Sequence, residues 1–185
     1  MTMNAEHESH SSAPSADSRE CTAPLARVRH DGSLRWIPER ARELSRRNLL
    51  LGKSWTLAQV CEHLALALEL TIQVESGGPP PRRWRVLSRF ERAKRWCVKR
   101  IMLATGWFPG GVTAPGLVEP SGSLSLPQAL DRLHHAVEQF EHKYASPGAG
   151  WSYHSILGRM NDRQWRKFHS IHAAHHFSFF VAPSS

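Results

Sequence analysis

The chain has 185 residues, 24 Lys and Arg against 16 Asp and Glu, 12 His and three Cys, for a net charge of +8. That length suffices for one domain with a sizeable core and does not require a second. The cysteines, Cys21, Cys61 and Cys97, are an odd and scattered set without CxxC spacing, which excludes a disulfide framework and a zinc knuckle and points to a reducing, cytoplasmic compartment.

Residues 1–28 are rich in Ser, Ala, Glu and His with few large apolar side chains. Such a segment cannot offset its ordering entropy and is expected to be a disordered tail. Residues 29–182 then form the domain. Its periodicity is helical throughout, with no persuasive alternating strand, so the expected class is all-α. The first helix is placed at Leu34 to Leu50. Ser45-Arg46-Arg47-Asn48-Leu49 has the look of a twin-arginine export signal, but the segment after it carries Glu62, His63 and Glu69 in place of an apolar stretch and cleavage site. It reads as the end of helix one.

The second helix starts at Thr56, with Gln59 three residues on as a capping box, and runs to about Val74. Gly77, Gly78 and Pro79 to Pro81 stop it. A strongly basic third helix comes next, ending near Thr105 and Gly106. Val86, Leu87, Phe90, Ala93, Cys97, Ile101 and Ala104 share one of its faces, which is expected to be buried. The basic residues mostly take the other face, an ordinary solvated one. Nucleic acid is therefore not an expected partner, although a small anion would be attracted. No run of about 18 apolar residues exists, so no membrane association is expected. Self-association as a homodimer stays open.

A loop from Trp107 to Ser125 is too long for a simple connection, and loops of that length tend to be functional. Helix four spans Leu126 to about Tyr144, with Leu130, Leu133, Val137, Phe140 and Tyr144 as its apolar stripe and His134 and His135 outside it. After a break at 146–150, Asn161 is positioned to cap a last helix, with Gln164 at its third residue.

That last helix carries the chemistry. Four histidines fall between His169 and His176. At about 100° per residue, Trp165, Phe168, His172, His176 and Phe179 lie within a sector of roughly 80°, opposite Arg166, Lys167, Ser170 and Ala174. A buried imidazole without a partner is costly, so two of them one turn apart among aromatics suit the i, i+4 pair of a metal site. A reactive site of the zinc type has three protein ligands and an open fourth position, and a bundle draws ligands from facing helices. His63, in mid-helix two and flanked by Ala67, Leu70 and Val74, is the best third donor.

Trp55, Gln59, His63, Leu64 and Ala65 resemble the second-helix motif of the DinB/YfiT-like superfamily of four-helix-bundle metalloenzymes. The stretch from His154 through Gly158, Asn161 and Trp165 to Phe168, His169, His172, His175, His176 and Phe179 is similar to the end of an uncharacterised branch of it, as is the Gly106-Trp107-Phe108-Pro109-Gly110 loop. The resemblance covers about residues 30 to 182. It implies a DinB-like four-helix bundle with an extra short helix or long loop, and it matches His63, His172 and His176 to the family's three ligands for zinc, nickel or iron. Better-known relatives are thiol-dependent transferases or isomerases that use a low-molecular-weight thiol such as bacillithiol or mycothiol. The resemblance therefore further implies an enzyme of that kind, a thiol-dependent transferase foremost, acting on a small-molecule substrate. A metal-assisted hydrolase and a non-catalytic, stress-associated metal-binding bundle are the alternatives. For hydrolysis a general base is expected nearby, and His154 and His169 are the catalytic candidates, because both also match the branch's pattern.

Overall fold

The computed structural model describes residues 32–47, 50–51, 55–74, 82, 86–108, 116–145 and 151–181. The expected tail, residues 1–28, lies outside them. Among the described residues five α-helices carry the fold: α1 Trp36–Ser45, α2 Leu57–Gln73, α3 Arg89–Thr105, α4 Leu126–Lys143 and α5 Asp162–Phe177. Four are long and α1 is short, in an all-α architecture as expected.

The helix boundaries derive from capping. Thr56 accepts from the Gln59 N–H and Gln59 accepts from the Thr56 N–H, closing the box at the start of α2. Asn161 and Gln164 do the same for α5. Ser88 accepts from the Glu91 N–H, so α3 begins at Arg89, well after the proline run, and it ends at Gly106 in the left-handed conformation at φ 74°. Helix one is shorter than its apolar pattern suggests: it stops at Ser45, and Leu50–Leu51 is extended.

The expectation of no strand needs correction. Two antiparallel ribbons are present, β1 Leu50–Leu51 with β4 Phe180–Val181, and β2 Trp151–His154 with β3 Gly158–Asn161. Strands of two to four residues are too short to show alternation.

The core lies between α1, α2, α4 and α5. Ile37, Ala41 and Leu44 of α1, Leu64 and Leu68 of α2, Leu133, Val137 and Phe140 of α4, and Trp165, Ile171 and Phe177 of α5 are buried in one cluster. The α4 stripe is confirmed in its buried members, and His134 and His135 are exposed. Around α5 the two-sided expectation fails. Ser170, placed outside by the pattern, is buried, and Phe177 rather than Phe179 is its buried C-terminal aromatic. The helix touches α1, α2, α3 and β3, so neighbours enclose it on most sides.

The basic residues of α3 are mostly exposed, as expected, Arg89, Arg92, Lys94 and Arg100 among them, but its apolar face is not the inner one. Phe90, Cys97 and Ile101, expected inside, are exposed, while Lys99 and Met102 are its only buried residues. Lys99 Nζ donates to the Arg159 carbonyl at 2.7 Å and the Arg95 guanidinium to the Ile156 carbonyl at 3.2 Å. The inner face of α3 is thus set by basic side chains satisfying carbonyls in and beside the β2–β3 hairpin. Hydrophobic periodicity assigns the apolar face inward and misses this.

Candidate metal centre

His63 arrives from the middle of α2, and His172 and His176 from successive turns of α5. The Nε2 atoms of His63 and His172 are 3.1 Å apart, and those of His176 and His172 are also 3.1 Å apart. Donor atoms from all three lie within 4.8 Å of one another, the rings sit 4.8 to 5.0 Å between centroids, and no other such group of three occurs among the described residues. The three residues singled out in the sequence therefore converge.

Hydrogen bonding fixes which nitrogens face inward. The His63 Nδ1–H donates to the Val118 carbonyl at 2.7 Å, because a carbonyl oxygen only accepts. A neutral His63 ring then points a bare Nε2 lone pair at His172. Nδ1 of His172 is buried with no hydrogen-bond partner among the described residues. His172 Nε2 carries either one proton or one lone pair and can satisfy only one of its two neighbours well, so neutral rings leave one of the two 3.1 Å contacts without a hydrogen bond. Protonation is opposed as well. Burial lowers the pKa of His63, against the raising effect of the Val118 bond, and burial together with the neighbouring imidazoles holds His172 well below the ordinary value.

A divalent cation removes that conflict. Two imidazole nitrogens on a tetrahedral cation with ~2.0 to 2.1 Å bonds stand about 3.3 Å apart, close to the spacing found. The donor set and the tautomer imposed by Val118 fit such an ion, and the Val118 carbonyl plays the orienting part that a metal-ligating histidine usually requires.

Aromatic rings wall the centre. Trp55 stacks on His176 at 5.9 Å and touches His63 at 4.9 Å. Phe108 stacks on His172 at 5.1 Å and on His175 at 4.9 Å, and Phe168 stacks on His172 at 5.6 Å. Phe108 and Val118 belong to the described ends of the long 107–125 loop, so that loop does line the centre. His63 and His172 are buried and His176 is half-buried.

The Val118 carbonyl is held in place from α2 itself. Glu62 accepts from the Ser121 hydroxyl at 2.7 Å and the Gly122 N–H at 3.3 Å, and Arg132 stands 3.8 Å away. Gly122 has φ +72°, and a Cβ there would be strained and would meet Gln59 Nε2 at 3.2 Å, so this strap favours glycine. Glu62, Gly122 and the Val118 carbonyl were not legible as site residues. A backbone acceptor leaves no residue-type signal, although a buried Glu beside the ligand His63 was a clue.

His154 and His169 have other hydrogen-bond partners than the triad, although His169 is among the imidazoles that lower the pKa of His172. The His154 ring rests on Trp165 and Phe168, and its Nδ1 accepts from the Ile156 and Leu157 N–H groups, both at 3.0 Å. His169 Nε2 stands 3.0 Å from Thr71 Oγ1, whose own proton goes to the Ala67 carbonyl, so the imidazole donates. Burial pushes His154 down to about 4 and, with the charge of His154 adding to it, His169 to about 3. Among the described ring contacts neither meets a triad imidazole, and Phe168 touches both of them as well as His172. Leu70, expected beside His63 on an apolar face, is exposed at 36%.

No curated protein and no solved structure matches the chain. A family model described as "Protein of unknown function (DUF1569)" matches residues 32–183. That span takes in every helix and all three triad histidines, and the chain belongs to the DUF1569 family.

Proposed function

We propose that the protein is a divalent-metal-dependent enzyme whose His63, His172 and His176 hold the cation, and that it transfers a low-molecular-weight thiol to a small-molecule substrate. The observation that carries the reading is the convergence of three Nε2 atoms with the His63 tautomer fixed by Val118. Three neutral imidazoles leave the charge of a divalent ion undiminished, and such an ion lowers the pKa of an adjacent thiol or water. Zinc, nickel and iron all accept imidazole donors. Three ligands with a half-buried third suit a reactive site better than a structural one, which usually has four. The resemblance to the DinB/YfiT-like superfamily favours thiol transfer over hydrolysis.

The chain's own residues supply the rest. Trp55 and Phe108 exclude water from two sides and fix the ring planes by stacking, and the Glu62 strap holds the Val118 carbonyl against His63. The triad is assembled by helices with their own apolar core, so the fold does not depend on the ion.

Metal analysis of protein purified without a histidine tag tests the ligand set, and consumption of electrophiles in the presence of low-molecular-weight thiols tests the reaction. His176→Ala is expected to lower metal affinity at least about 100-fold, beyond the 10 to 100-fold of outer-shell changes, while its helical circular dichroism persists. A wild-type protein that unfolds on chelation overturns the enzymatic reading in favour of a structural site. His169→Gln and His154→Asn, which retain the hydrogen bonds of the two rings, leave metal content unchanged. They slow turnover only if those rings carry protons.

A further inference from the structure

Helix α3 turns a continuous apolar ridge to the outside. Phe90, Ala93, Cys97, Ile101 and Ala104 fall within roughly 80° of helix surface at 100° per residue, and Phe90 is 76% and Ile101 54% exposed. Val86, just before the helix, is 77% exposed, and Trp96 on the flank is 53% exposed. Arg89 and Arg100 border one side of the ridge and Lys94 the other. With aromatic side chains covering ~150 to 250 Å² each, these four large residues offer about 500 Å² per copy. That is as large as the largest apolar patch a monomer usually carries, which is often a functional one, and doubling it reaches the roughly 1,000 Å² of a specific interface.

We propose that this ridge is the dimerisation surface of the protein, and that its occupant is the same ridge of a second copy packed antiparallel about a dyad at Cys97. The argument is self-complementarity. Cys97 is the central residue of Arg89–Thr105. Antiparallel pairing about it sets Phe90 against the partner subunit's Ala104, Ala93 against the partner subunit's Ile101, and Cys97 against its own counterpart. Phe90 and Ile101, the bulky residues of the central register, each meet an alanine, the alternation that lets two helices interdigitate, and a two-fold axis makes both halves of the contact identical. An anionic lipid surface would also accept an apolar ridge with basic flanks, but nothing about a lipid surface calls for that large-to-small register. The basic flanks oppose each other weakly across the dyad, since salt screens exposed charges beyond ~8 Å at physiological strength. Self-association through this ridge therefore tightens as salt rises, whereas lipid binding loosens.

The test is sedimentation of the full chain from about 1 to about 100 µM, the range in which an interface of this size associates. In a Cys21→Ser background a short bismaleimide is expected to link the dimer through Cys97, Cys61 being buried. Ile101→Glu, at a position solvated in the monomer, should weaken the dimer at least about tenfold. Ala93→Ile should weaken it as well, and adding Ile101→Ala to that variant should restore it by exchanging large and small across the dyad. A monomer throughout the range overturns the proposal. So does a dimer indifferent to Ile101→Glu, or a monomer that sediments with phosphatidylserine vesicles and is released by salt.

Discussion

Helices α3 and α5 are nearly equal in length and opposite in how they deploy their side chains. Half of α5 is buried, including His169 and His172, and two residues of α3 are, one of them Lys99. In α5 the inward polar rings meet partners brought by another helix, His63 and Thr71 of α2. In α3 the inward polar chains meet backbone carbonyls beside Met102, and the apolar residues Phe90, Cys97 and Ile101 are left outside. Periodicity therefore reveals that a helix has two faces, and the partners available decide which one goes in.

The contrast can be broken with paired truncations. Phe140→Ala, at a fully buried position of α4, is expected to cost about 3 to 5 kcal/mol, and Phe90→Ala less than about 0.5 kcal/mol when both are read by urea unfolding at submicromolar protein. Equal costs would mean that the outer face of α3 is core after all.

A second separation is by pH. His154 and His169 are held near 4 and 3, below an unfolded value of about 6.5, so the unfolded chain binds more protons in that interval and stability falls as pH falls. The contribution is complete above about pH 6.5. Below that, each group costs up to about 1.4 kcal/mol per pH unit until its folded value is reached. Urea midpoints of the chelated protein from pH 7 to 4 should show the decline, and His169→Gln should flatten it. An unchanged slope would show that this ring is accessible to protons in the folded state.

The smallest expected effect sharpens the account of the inner face of α3. Lys99→Met keeps the length of the side chain but leaves the Arg159 carbonyl without its donor, an expected loss of about 1 kcal/mol. Thermal melts at low protein concentration measure it. A stabilised variant would show that the buried ammonium is a net liability.

The triad was legible because ligand spacing on a helix is local: His172 and His176 declare themselves by i, i+4, and His63 by sitting polar in an apolar run. The caps at Thr56 and Asn161 were legible for the same reason, since each box closes within three residues. Most of what stayed hidden depends on distant pairing. The β1–β4 ribbon, the inner face of α3 and the Glu62 strap are fixed by groups dozens of residues away, and no residue pattern at those positions announces them; the β2–β3 hairpin is local but its strands are too short to show alternation.

Asn161 is both the last residue of β3 and the cap of α5, and β4 begins three residues after α5 ends. Each end of the ligand-bearing helix is thus continuous with a paired strand, and the pairings Trp151 with Asn161 and Leu51 with Phe180 fix where those strands stand. A slip of one residue along α5 would turn its side chains by about 100°, carrying His172 and His176 away from His63. The two short ribbons consequently act as a rotational lock. They set the angular aim of two ligands before any ion arrives, so the cost of orienting them is met during folding rather than at binding.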